Sequence, residues 1–145
     1  MKNLSVIKNF AVLLLLCVSI ISCKENKEEQ PLPATDLATK VLGTYVFYEV
    51  EFNGEAIPAD ESNLKGDIRI TRKTDTTVDA KLDIRTKNSN EEFMVYDVTD
   101  IKLKEFGNTV ELIYEDETVA RISGRRLIIN GTDETGTDFK LTAAR

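Results

Sequence analysis

Val78-Asp79-Ala80-Lys81-Leu82-Asp83-Ile84-Arg85 alternates apolar and polar residues without a break. Successive side chains on a strand point to opposite faces, so this stretch buries one row and leaves the other in water. Working outward, the same period of two returns along the chain. Val46, Tyr48, Val50 and Phe52 form one row. Ile68 and Ile70 lie in 67–72, a denser apolar run spans 92–98, and Ile101 and Leu103 stand opposite Lys102 and Lys104. Val110, Leu112 and Tyr114 follow, then 119–122, 127–129, and Phe139, Leu141 and Ala143. Asn53-Gly54 reads as a type I′ hairpin turn. Further turn signals fall at 88–90, Gly107-Asn108, 115–117, Gly124-Arg125 and Asn130-Gly131. Ahead of the strands, Thr35 or Asp36 can cap a short helical turn reaching Leu42, with Leu37, Ala38 and Val41 on its apolar side. The expectation is an all-β, antiparallel domain of about eight or nine strands. A two-sheet sandwich would bury the rows, but a long up-and-down meander removes its exposed edges most completely by closing into an eight-stranded barrel.

The first quarter of the chain has a different character. Lys2 and Lys8 precede an apolar run from Phe10 to Ile21 that only Ser19 interrupts. It is too short for a membrane-spanning helix, which needs about 18 residues, and reads as an export signal over 1–22. Ile20-Ile21-Ser22-Cys23 resembles the bacterial lipobox. That resemblance implies cleavage before Cys23, lipid on its thiol, and a protein anchored to the membrane by acyl chains whose combined burial makes release negligible. Lys24, in place of an aspartate that holds some lipoproteins at the inner membrane, implies the outer membrane. Glu28-Glu29 resembles the acidic surface-export signals of some Gram-negative lipoproteins. Residues 23–34, charged and proline-bearing, are expected to be a flexible tether spanning roughly 20 Å. The folded domain is then 35–145.

Removal of 1–22 takes away two lysines and no acid, so the net charge moves from −6 to −8. Nucleic acid is not the expected partner of so acidic a domain. Cys17 leaves with the signal, so no disulfide can form within the mature chain.

Leu42-Gly43-Thr44-Tyr45, just after the helical turn, resembles the Gly-x-Trp signature of the lipocalin and calycin superfamily, with Tyr45 in place of tryptophan. The resemblance covers Leu42 to Arg145 in pattern and is most similar to the abbreviated lipocalin-like domains of bacterial lipoproteins. The segment from Gly124 to Leu141 resembles their closing hairpin. It implies that Gly43 and Tyr45 open the first strand and that a late basic residue, Arg145 or Lys140, packs over the Tyr45 ring.

The chain has no histidine. Triads and histidine zinc sites are therefore excluded, thiolate sites fall away because the one mature cysteine, Cys23, is expected to carry lipid, and the acidic residues lie on wet faces or in turns, so no enzyme, cofactor or catalytic residue is expected. Asn130, Thr132, Asp133, Glu134 and Asp138 crowd the last turn with oxygen ligands, but their spacing is not that of an EF-hand and no metal is assigned. Arg125-Arg126 could meet an anion. The barrel interior is the remaining candidate. Val46, Tyr48, Val50, Phe52, Ile68, Ile70, Leu82, Ile84, Phe93, Val95, Leu112, Tyr114, Ile122, Ile128, Phe139 and Leu141 are expected to fill it. Where a pocket stays open, Tyr48, Tyr96 and Tyr114 would line it, each offering an apolar ring and one hydroxyl. Two functions fit: binding of a small apolar ligand at the envelope, or a ligand-free module that inhibits or assists another envelope protein. No feature of the sequence separates them.

Overall fold

A computed structural model of the chain describes residues 36–132 and 135–145. The export signal, Cys23, the tether, Thr35, Asp133 and Glu134 lie outside the described residues. A short helix, α1 (Leu37–Val41), leads into nine strands: β1 (Gly43–Phe52), β2 (Glu55–Pro58), β3 (Leu64–Arg72), β4 (Thr77–Thr86), β5 (Glu92–Phe106), β6 (Thr109–Tyr114), β7 (Glu117–Ser123), β8 (Arg126–Thr132) and β9 (Asp138–Ala144). All pairings are antiparallel. From β3 to β9 each strand pairs with the next, and β9 pairs with β1 over Val46–Phe52, so the sheet closes. β3 pairs with the first half of β1 and β2 with the second half, one beyond the other. Nine strands therefore occupy eight places around an up-and-down barrel.

β4 has the alternation that its sequence announces: Val78, Ala80, Leu82 and Ile84 are buried. Elsewhere the rows change sides at one-residue bulges. Tyr48 is the extra residue in β1, between the pairs Phe47 to Ala143 and Glu49 to Thr142. Tyr45 and Phe47 point inward before it and Val50 after it, so Val46, 59% exposed, and Tyr48 lie on the outside rather than in the expected row. Phe93 is the extra residue of β5 opposite the step from Ile84 to Arg85. It is 43% exposed while its neighbour Met94 is buried, which reverses the expected placing of Phe93. On β8, Leu127 is buried and Ile129 packs against the core, which puts Ile128 on the other face. The runs expected as two strands, 92–98 and 100–106, are one. A bulge at Thr99-Asp100 faces Asp79 alone, with Asp100 at φ 63° and its N–H donating to Asp79 Oδ1 at 3.0 Å. Inward positions pass there from Met94 and Val98 to Ile101 and Leu103.

Gly66 has a steric role in the wall. A Cβ there would lie 2.0 Å from the carbonyl oxygen of Asp83. The missing side chain lets β3 lie close against the backbone of β4 at Asp83 and Ile84. Outward positions of β4, such as Lys81 and Asp83, are charged, the reverse of the apolar outer band that a lipid-spanning barrel presents.

α1 plugs the end of the barrel at which β1 begins. Leu37, Ala38 and Val41 are buried against the strands. Its N-terminus is held from outside. Asp36 Oδ1 accepts from the Thr39 N–H at 3.1 Å, its Oδ2 accepts from Thr39 Oγ1 at 2.7 Å and from the Arg72 guanidinium at 2.5 Å, and Ala38 N–H donates to the Asp75 carbonyl at 3.0 Å. Hydrogen bonds from Thr39, then Arg72, hold the Asp36 carboxyl down at about 2, against an ordinary 3.8. A group whose folded pKa is depressed contributes stability in its charged form. That contribution is complete above about pH 4 and fades as the pH falls towards 2. In thermal melts across this window, Asp36→Asn should melt below the parent at neutral pH, and the gap should narrow as the pH falls to about 2. A gap that stays constant would remove Asp36 from the acid response.

Candidate functional site

At the α1 end, one side chain ties three elements together. The Arg145 guanidinium lies 5.2 Å from the centre of the Tyr45 ring. One of its nitrogens donates to the Leu42 carbonyl and another to the Lys40 carbonyl, the latter at 2.8 Å. These carbonyls belong to the C-terminal turn of α1, where no intrahelical donor remains for them. The Tyr45 hydroxyl donates to the Val41 carbonyl at 2.9 Å, and burial pushes that phenol above its ordinary pKa. Gly43 takes φ +136°, a backbone conformation that side-chain-bearing residues rarely adopt, and its Cα faces the Arg145 side chain. Arg145, rather than Lys140, packs on the ring; Lys140 is ion-paired with Glu51. Arg125 donates to the Arg145 backbone carbonyl and Arg126 stands 5.8 Å from the centre of the Tyr48 ring, so each of the two arginines already has a partner within the fold.

The opposite half of the barrel is open. β6 pairs with β5 only from Lys102 to Phe106, and β7 pairs with β8 only from Arg126 to Ile129. The β6–β7 hairpin thus stops short, leaving a notch in the wall between residues 92–99 of β5 and the end of β8. Its tip, Glu115-Asp116, takes φ of 50° and 65°, a left-handed pair made without glycine or asparagine. Behind the notch lies an apolar cavity of about 160 Å³. Ile68, Ile70, Ala80, Leu82, Val98, Ile101, Leu112, Ala120, Leu127 and Ile129 form its walls, with Tyr96, Tyr114 and Val119 completing the lining. Tyr96 is 57% exposed and Tyr114 38%, which sets both at the mouth. Val119 reaches the cavity because it is the extra residue of a bulge between the pairs Leu112 to Ala120 and Ile113 to Thr118.

Two of the three expected tyrosines, Tyr96 and Tyr114, therefore meet at one opening. Tyr48 is not among the lining residues and lies on the outer surface under Arg126. Sequence reading did not find the aliphatic wall as a site, because Ala80 and Ala120 look like ordinary core positions. Their small size is the one signal available: between larger neighbours they leave the space. A larger depression of about 810 Å³, between the turn after β1 and the one after β8, is polar and more open, and its Glu51 and Lys140 satisfy each other. Among the described residues no group of three His, Cys, Asp or Glu is placed to hold a metal ion.

Neither a protein-family model nor a curated protein matches the chain. Solved structures similar to it include three of different origin. One is a "putative outer membrane protein" of Bacteroides fragilis (TM-score 0.48, 13% identity, 77% of this chain and 53% of that one). The chain thus spans about half the length of that protein. The others are a de novo designed fluorescence-activating β-barrel (TM-score 0.46, 15% identity, 76% and 97% covered) and a redesigned β-barrel (TM-score 0.46, 15% identity, 77% and 96%).

Replacing Arg145 with methionine keeps the aliphatic stem and removes the donors, leaving two helix carbonyls without partners. Urea unfolding should show a loss of about 2–3 kcal/mol, with Arg145→Lys recovering part of it. Equal stability of the methionine variant would show that the clamp contributes nothing.

Proposed function

We propose that the protein is an envelope lipoprotein, fastened to the outer membrane through lipid on Cys23, whose lipocalin-like barrel takes up one small apolar molecule and performs no catalysis. The observation that carries this reading is the apolar cavity behind Tyr96 and Tyr114. A fully packed barrel of eight strands needs no such space, and a void of about 150 Å³ lined by aliphatic side chains is enough to hold benzene or xenon. The ligand is accordingly compact, of the order of a single ring, or the end of a longer molecule that projects through the notch. Its exposed part is neutral or cationic. Asp97, next to Tyr96 in the chain, and Glu115 and Asp116, next to Tyr114, would repel a carboxylate.

Binding to the folded state alone raises the melting temperature, by about 4–8 °C for a domain of this size with free ligand at ten times its Kd. Buffer saturated with p-xylene should give such a rise, sodium hexanoate should not, and Ala120→Phe, which fills the cavity, should abolish the xylene effect. A rise that persists in Ala120→Phe would place binding elsewhere, and no rise in the parent would contradict carriage. The anchor has its own test. Cys23→Ala should leave the membrane fraction with its melting temperature unchanged, and a variant that stays in the membrane pellet would refute lipid attachment at that residue.

A further inference from the structure

Closing the barrel through β1 and β9 does not remove every strand edge. Among the edges left free in the described residues, two differ in kind. The outer edge of β2 is four residues long and ends in Pro58, which cannot donate to an added strand. The other is the side of β5 that faces the notch. Residues 92–99 pair with β4 on one side and with nothing on the other, so every second residue there presents a main-chain N–H and C=O to solvent. This edge has neither lysine nor proline from Glu92 to Thr99, and it carries exposed Phe93 and Tyr96. β2 is kept from pairing by its shortness and its proline, whereas β5 is interrupted only near the ends of this edge, by bulges at Phe93 and Thr99-Asp100, with no lysine or proline between them.

The surroundings select what can pair. Glu91, Glu92 and Asp97 lie on or beside the edge, and Glu115, Asp116 and Glu117 lie at the turn of the short β6–β7 hairpin. Among the described residues only Glu92 and Asp116 of these six have a cation, Arg85 at 3.3 Å and Lys102 at 3.5 Å. We propose that the free edge of β5 receives an added antiparallel strand from another polypeptide, an extended segment in which basic residues alternate with apolar ones. Its main chain completes the hydrogen bonds of 92–99, its cations meet the acidic flanks, and its apolar residues cover Tyr96 at the cavity mouth. A second copy of this chain fits poorly, because it would bring an equally acidic edge to the notch. The inference stands independently of whether a small molecule occupies the cavity.

The test uses the full protein purified from its host in mild detergent. The probe is a labelled seven-residue peptide of alternating lysine and valine, followed by fluorescence anisotropy and amide hydrogen exchange. The peptide should bind, and exchange should slow within 92–99. Of two versions N-methylated at alternate positions, in opposite phase, one should lose at least tenfold in affinity while the other keeps it. A peptide with glutamate in place of lysine should not bind, and reversing Asp97 to lysine should weaken the parent peptide by about two- to fivefold, the range of one cross-strand charge pair. Absence of binding overturns the proposal. So does equal binding of both N-methylated peptides, which would mean charge attraction alone, or slowed exchange confined to other strands. A dimer in sedimentation whose protected amides are those of 92–99 would also overturn it, by assigning the edge to a second copy.

Discussion

In a closed sheet every side chain points either into the barrel or out of it, and this chain obtains a single dry interior only by changing sides several times. Inward residues are odd-numbered at Tyr45 and Phe47, then even at Val50; even at Met94 and Val98, then odd at Ile101 and Leu103. Each change costs one bulged residue, at Tyr48 and at Thr99-Asp100. Without the first, the apolar row of β1 would face water just where β1 must meet β9, and the barrel would not close.

The two ends of the barrel are built from different materials. At one end α1 is capped by Asp36, pinned by Arg72 and Asp75, and roofed by Arg145 on Tyr45, so charged side chains lock an apolar plug in place. At the other, a short β6–β7 hairpin leaves the wall incomplete, with Tyr96 and Tyr114 at the gap. Rigidity at the plugged end lets the cavity stay empty of side chains without collapse, because the strands that line it are held by the plug and by closure on β9. Binding in the cavity and pairing along β5 are both consequences of that one missing stretch of wall.

Much of this was legible in the residues, for identifiable reasons. The strict alternation of 78–85, the Asn53-Gly54 turn and the Asp36 cap each depend on neighbours in sequence, and each is found where the pattern points. The pairing of Arg145 with Tyr45 spans the whole domain and could be expected only through the likeness of Gly43 and Tyr45 to a known signature. What could not be read depends on register. Nothing local marks Tyr48, Phe93 or Val119 as the extra residue of a bulge, so the rows containing Val46, Tyr48 and Phe93 were assigned to the wrong face. The length of β6 relative to β5 decides where the wall opens, and that too is a property of pairing rather than of either strand.

The central claim is that the space behind Tyr96 and Tyr114 is a dry site able to hold one small apolar occupant. Diffraction from crystals pressurised with xenon measures it most directly. The account predicts one strong xenon peak within van der Waals reach of Leu82, Leu112 and Ile129, reached without movement of the strands. Ordered water hydrogen-bonded in that space, or xenon bound only on the outer surface, would contradict it.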